Sequence, residues 1–163
     1  MVAWIILIIC LCFPWDIILR DFMSYSRGNM KIIENPAWVF YIEKPDFDND
    51  KIGKWMCFFK GRDFIAKLCQ EAVEKGVVAE AKHSNANEGV SCFYLNCDDM
   101  ASHKKVIEFF LNNNLIRKTK NGKLYNISFK MDKQTQAGEY GKDFKSEIKL
   151  EQFVDLNTGD WII

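Results

Sequence analysis

Few side chains in the 163 residues can do acid-base, nucleophilic or metal chemistry. There are two histidines, His83 and His103, and six cysteines. No Gly-rich phosphate loop, GxSxG elbow, HExxH pair or spaced Cys-His-Asn set occurs, so no catalytic residue is assigned. Cys10-Leu-Cys12 and Cys92 with Cys97 lack the spacing of CxxC pairs, and two histidines cannot complete a tetrahedral zinc site with them; no metal and no other cofactor is expected. Asp46-Phe-Asp48-Asn-Asp50 opens like a calcium loop but places Lys51 and Cys57 where a glycine and a bidentate glutamate are required, which leaves a solvated acidic turn. Of the two histidines, His83 stands next to a hairpin turn beside Lys82 and Ser84, and His83 with Lys82 forms the candidate ligand-proximal pair. His103 is placed on the exposed face of a helix. An enzyme built on His83, Lys82 and the acidic loop is the last-ranked reading, since neither histidine has an orienting partner in the sequence.

Charge distribution is more informative. The chain balances 22 basic against 22 acidic side chains, yet Ser102 to Leu150 holds eleven Lys or Arg against five acids, so a basic stretch is hidden in a neutral total. Aromatic residues interleave with these cations, and ring faces beside cationic heads are what single-stranded nucleic acid uses for stacking and phosphate contact. Arg117, Lys118, Lys120, Lys123, Tyr125, Lys130, Lys133, Tyr140 and Lys142 are the candidate contacts for nucleic acid or a partner protein. Lysine offers no planar fork for base reading, so contact with the backbone is expected over sequence reading.

The elements that must position these residues follow from periodicity. Trp38-Val-Phe-Tyr-Ile42 and Lys54-Trp-Met-Cys-Phe-Phe-Lys60 have strand composition and are expected to pair as a hairpin. Phe64, Ile65, Leu68, Cys69, Ala72 and Val73 recur at helical spacing, with Asp63 as the expected cap and Gly76 past the end. Val77–His83 and Val90–Leu95 flank a turn-rich segment and form a second hairpin. Asp98 or Asp99 caps a second helix with Val106, Ile107, Phe110 and Leu111 on its buried stripe. Leu115–Lys118 and Lys123–Lys130 flank Asn121-Gly122 and are expected to form a third hairpin, with Tyr125, Ile127 and Phe129 on one side. Lys145–Val154 reads as either a short helix or a strand. Strand-strand-helix units imply a two-layer α+β fold: a curved antiparallel sheet of about six to seven strands, with helices on one face and the other face partly open. Cys57, Cys69 and Cys92 fall at small apolar core positions, as reduced thiols, and a cytoplasmic location is expected from them.

Val2 to Phe13 is an unbroken apolar run ended by Pro14, Trp15 and Asp16. A spanning helix needs about 20 apolar residues, and this run is shorter even with Ile17 to Leu19 added. No Lys or Arg precedes it and no small-x-small cleavage site follows, so it is not a standard signal peptide. Residues 1–29 are therefore set apart as an apolar extension, open to three readings: sequence upstream of a true start at Met30, a membrane anchor, or a core helix. Residues 30–163 are read as one α+β domain expected to fold without them, and a membrane is a partner only if the extension is real.

The order hairpin, helix, hairpin, helix, hairpin, with an early Trp-rich strand, resembles the translation initiation factor 4E fold. Gly53-Lys-Trp-Met-Cys-Phe-Phe59, the helix after it and Ala81-Lys-His-Ser84 resemble the corresponding segments of the 4E-like uncharacterised family typified by the basophilic leukaemia-expressed protein. The resemblance implies the curved-sheet fold. Cap-binding factors hold methylguanine between two loop tryptophans, and this chain has no Trp between Trp55 and Trp161, so cap binding does not carry over. Lys130–Phe144 has no counterpart in those families. The first reading of function is a non-catalytic binding protein that contacts nucleic acid or a nucleotide through the open sheet face and the basic C-terminal half. The alternative is a small inhibitor or adaptor of a nucleic-acid-handling protein, such as a phage or mobile-element anti-defence protein.

Overall fold

The computed structural model describes residues 23–142 and 144–163. The apolar run from Val2 to Phe13 lies outside the described residues, as do Cys10 and Cys12. The fold is α+β, with one seven-stranded, open, antiparallel sheet and three helices. In chain order the elements are β1 (Met23–Arg27), β2 (Met30–Glu34), β3 (Trp38–Ile42), β4 (Ile52–Lys60), α1 (Arg62–Glu74), β5 (Glu80–Ser84), β6 (Glu88–Asn96), α2 (Met100–Asn112), β7 (Lys130–Met131) and α3 (Asp132–Gln136). The strand order across the sheet is β1-β2-β3-β5-β6-β4-β7. Among the described residues, no helix is long and apolar enough to cross a membrane.

β5 and β6 form the expected hairpin, but β3 and β4 do not pair. β3 instead pairs with β5 over five residues on each side, while β4 and β6 pair along nine. Matching lengths explain the difference: a five-residue strand beside β4 would leave nearly half of its backbone donors unsatisfied in a buried sheet. The third hairpin is also corrected. Gly122 makes the turn at a φ of 81°, yet the flanks meet only at the Lys118–Leu124 bridge, and β7 has two residues. Phe129 is buried there while Tyr125 is exposed, so the expected alternation does not hold across the segment. Lys145–Val154 contains a single short 3-10 turn, Leu150–Gln152. Upstream of Met30, β1 lies against β2 across the Gly28-Asn29 turn.

Both long helices lie on one face. α1 buries Ile65, Leu68, Cys69, Ala72 and Val73, and each fully buried Leu, Ile or Val contributes about 1.5–3 kcal/mol. Its cap is not Asp63: Gly61, at a φ of 94°, precedes the first turn, and the Asn87 carboxamide accepts from the Arg62 amide at 3.3 Å. α2 is capped as expected by Asp99, whose carboxylate accepts from the Ser102 amide at 3.0 Å and its hydroxyl at 2.6 Å. The α2 aromatic residues meet β6, where Phe93 and Phe110 stack edge to face at 4.9 Å. Cys57, Cys69 and Cys92 are buried and unbridged, and burial pushes the Cys57 thiol up to about 12 against the opposing effect of the Ser91 hydroxyl.

Candidate functional site

Side chains alternate along each strand, so the register alone divides the sheet into two faces. Trp55, Cys57, Phe93, Ala81, His83, Val39 and Tyr41 turn toward the helices and are buried there. Three cross-strand rows cross the middle of the opposite face: Met56–Cys92–Lys82–Phe40–Ile33, Lys130–Lys54–Tyr94–Glu80–Ile42 and Phe58–Val90–Ser84–Trp38. This face, which neither α1 nor α2 covers and which α3 meets at Lys54, therefore concentrates lysines and aromatic rings in the middle of the sheet, where strand propensity and burial alone would place apolar residues.

Lys82 is its centre. The ammonium stands 4.5 Å from the centroid of the Trp38 ring, 5.3 Å from Phe40 and 5.5 Å from Tyr94. Among the described residues, no carboxylate lies within ion-pair distance of it. Burial holds its pKa below the ordinary lysine value, and the neighbouring positive charge of Lys54 adds to the shift. Burial likewise raises the Cys92 thiol and the Tyr94 phenol, and it raises the Glu80 carboxyl against the opposing pull of Lys82. Lys54 is held differently: its ammonium pairs with the Asp132 carboxylate at the start of α3 and lies 5.4 Å from the Tyr94 ring. Lys130 is buried, stands 3.7 Å from the Tyr140 ring centroid and donates to the Glu139 carbonyl. Burial, followed by the charge of Lys54, lowers its pKa.

The sequence-derived contacts fall into two groups around this face. Arg117, Lys118, Lys120, Lys123 and Tyr125 occupy one exposed loop, closed where the Tyr125 amide donates to the Arg117 carbonyl at 2.9 Å. Its Arg117 guanidinium lies 5.2 Å from the ring of Phe58, which stays 63% exposed on β4. Lys130, Lys133, Tyr140 and Lys142 belong to the segment that passes over β4 through β7 and α3. Lys133, Tyr140 and Lys142 are exposed, and Lys130 is not. No protein-family model matches the chain, and no curated protein sequence is similar to it.

Lys82 and His83, adjacent in sequence, project to opposite faces. His83 is fully buried on the helix side, where its Nδ1 bonds the Ser84 carbonyl at 2.9 Å and its Nε2 bonds the Tyr41 hydroxyl at 3.3 Å. His103 is not on an exposed helix face but fully buried against Trp55 and Phe129. Trp38, Phe40, Tyr94 and Lys54 were not legible as site residues, because each reads as ordinary strand composition. The available signal was the placement of Lys54 and Lys82 at even steps inside otherwise apolar strands, which marks a face where a cation is wanted.

The deeper concavities lie elsewhere. One of about 360 Å³ beside α2 is lined by Phe110, Ile116 and Leu124 together with Glu108, Asn114 and Trp161. Its polar side chains, Glu108 included, are exposed, whereas the Lys82 cation is partly desolvated with no carboxylate within ion-pair distance, which makes the face opposite α1 and α2 the stronger candidate.

Proposed function

We propose that this protein is a non-catalytic binding protein that holds nucleic acid or a nucleotide on the sheet face opposite α1 and α2. The observation that carries the reading is the Lys82 ammonium, set among Trp38, Phe40 and Tyr94 with no carboxylate partner among the described residues. A partly desolvated cation favours an incoming anion, and ring faces beside it favour a planar base. A phosphate linked to a base offers both. The exposed Arg117 to Tyr125 loop adds cations at the rim, and the 4E-like resemblance belongs to the same proposal as a precedent for a ligand on an open sheet.

A second reading keeps the inhibitor or adaptor role. It draws on Phe58 and Arg117, an exposed aromatic ring beside an arginine, which are the residue types that dominate protein interfaces. Equilibrium titration of the full chain with mixed-sequence single-stranded RNA and DNA, repeated at rising salt, separates the two. Binding whose log K falls linearly with log salt, and which weakens in Lys82→Met, is expected. Absence of binding to every nucleic acid and nucleotide at low salt overturns the proposal in favour of a protein partner.

A further inference from the structure

We propose that the ligand of this face is a single strand that crosses the β-strands, with one base against Phe58 beside Arg117 and another against Trp38 and Phe40 beside Lys82. This rests on the binding reading above and narrows it from any nucleic acid or nucleotide to an oligonucleotide in one direction.

Two aromatic platforms, each with its own cation, carry the inference. Phe58 lies on β4 and faces away from the helices, with the Arg117 guanidinium 5.2 Å from its ring. Trp38 and Phe40 lie on β3 on the same face, with the Lys82 ammonium 4.5 Å and 5.3 Å from their rings. The strand order places β6 and β5 between β4 and β3, so the platforms are three strand spacings apart, or about 14 Å. A nucleic-acid strand advances about 3.4 Å per nucleotide when stacked and further when its bases splay, so about four nucleotides bridge the platforms and a mononucleotide reaches only one.

The path between them suits a polyanion. Phe58 stands opposite Val90 and Trp38 opposite Ser84, so an uncharged row joins the platforms, with Met56 and Cys92 on the row beside it. Of the carboxylates on this side, Glu80 stands on another row, Asp132 of α3 is paired with Lys54, and Glu88, next to the Phe58–Val90 pair, is paired with Lys60 at 3.4 Å. A strand that runs from Phe58 past Val90 and Ser84 to Trp38 therefore has Arg117 beside one end and Lys82 beside the other, and no carboxylate on that row.

The test is a length series: thymidylate oligomers of one to eight nucleotides titrated at low salt against the full chain by calorimetry. Affinity should rise steeply up to about four nucleotides and then flatten. Phe58→Ala should weaken the six-nucleotide oligomer roughly 5- to 100-fold, the loss of one stacked base, and weaken the mononucleotide much less. Phe58 is exposed, so its removal opens no core cavity; Arg117→Ala gives a second, independent reading of the same platform. A mononucleotide that binds as tightly as the six-nucleotide oligomer, or a six-nucleotide affinity unmoved by both variants, overturns the crossing strand while leaving the broader binding reading intact. Failure of every oligomer and mononucleotide to bind overturns both.

Discussion

The indole N–H of Trp55 donates to Nδ1 of His103 across 2.9 Å, and His103 in turn donates from Nε2 to the Cys97 carbonyl at 3.1 Å. Both ring nitrogens are thus committed, one as acceptor and one as donor, which is the arrangement of a neutral imidazole. His83 is committed in the same way, between the Tyr41 hydroxyl and the Ser84 carbonyl. The two histidines act as neutral hydrogen-bonding cores that tie β4 to α2 and β3 to β5.

This arrangement predicts a pH dependence. Burial holds both histidine pKa values below the ordinary one, so the unfolded chain binds protons that the native state refuses. Stability is then complete above the unfolded value of about 6.5 and falls as pH drops below it, by up to about 1.4 kcal/mol per pH unit for each histidine. The lowered carboxyls of Asp99 and Asp155 act in a separate window, centred below about pH 4. Urea midpoints at pH 7.5, 6.5 and 5.5 should decline, and His103→Gln should flatten the decline. A midpoint that is level or rises toward pH 5.5 contradicts the prediction.

Gly53 sits directly beneath Phe129, and a Cβ there would overlap the aromatic ring. The ring is fixed by Trp55 at 5.7 Å and His103 at 4.8 Å, so it cannot simply turn aside. Gly53→Ala is expected to cost about 1–3 kcal/mol by overpacking, despite alanine's better intrinsic preferences. Phe129→Ala combined with Gly53→Ala should be less than additive. Full additivity in thermal unfolding would show that the two positions do not share the space.

The Lys54–Asp132 pair predicts an asymmetry. Lys54 is the more buried partner, with 7% of its side chain exposed against 27% for Asp132. Asp132→Ala leaves a buried cation facing the positive charge of Lys130 and should cost about 2–3 kcal/mol, reduced from the cost of a fully buried pair by the exposure of Asp132. Lys54→Met removes the charge and keeps the volume, and it should cost clearly less. Equal losses in denaturant unfolding would refute the asymmetry.

A fourth prediction concerns the sheet edge. β1 covers β2, whose Met30 and Ile32 are buried. A fragment 30–163 exposes that row of backbone donors and acceptors, while a fragment 23–163 keeps it paired. The shorter fragment should unfold at lower denaturant and self-associate in sedimentation at high concentration. Identical behaviour of the two fragments would show that β1 adds nothing to the sheet.

Local signals were read well where they act locally. The Asp99 cap, the α2 stripe and the β5–β6 hairpin each depend on residues fewer than about fifteen positions apart, and the sequence shows them directly. The β3–β4 pairing failed because neighbours in sequence are only a default partner choice, and matched strand lengths across 28 or more residues overrode it. Asn121-Gly122 does form a turn, but a turn signal says nothing about whether its flanks extend as strands. The site was half legible. The cations of Arg117 to Lys123 stood out as a charge run, whereas Lys82 gained its significance only when three rings from two other strands converged on it.

The position of β4 between β6 and β7 has a consequence for synthesis. When the ribosome has delivered Lys60, β4 has neither sheet neighbour: β6 is complete only at Asn96, and β7 only at Met131. At about 5–20 residues per second, β4 waits roughly 2–7 s for β6 alone. During that delay the segment Trp55-Met-Cys-Phe-Phe59 is an unpaired apolar strand outside the exit tunnel. The nascent chain's demand on holding chaperones is therefore set by the order in which its strands emerge, and a faster elongation rate would protect it more than a more stable native state.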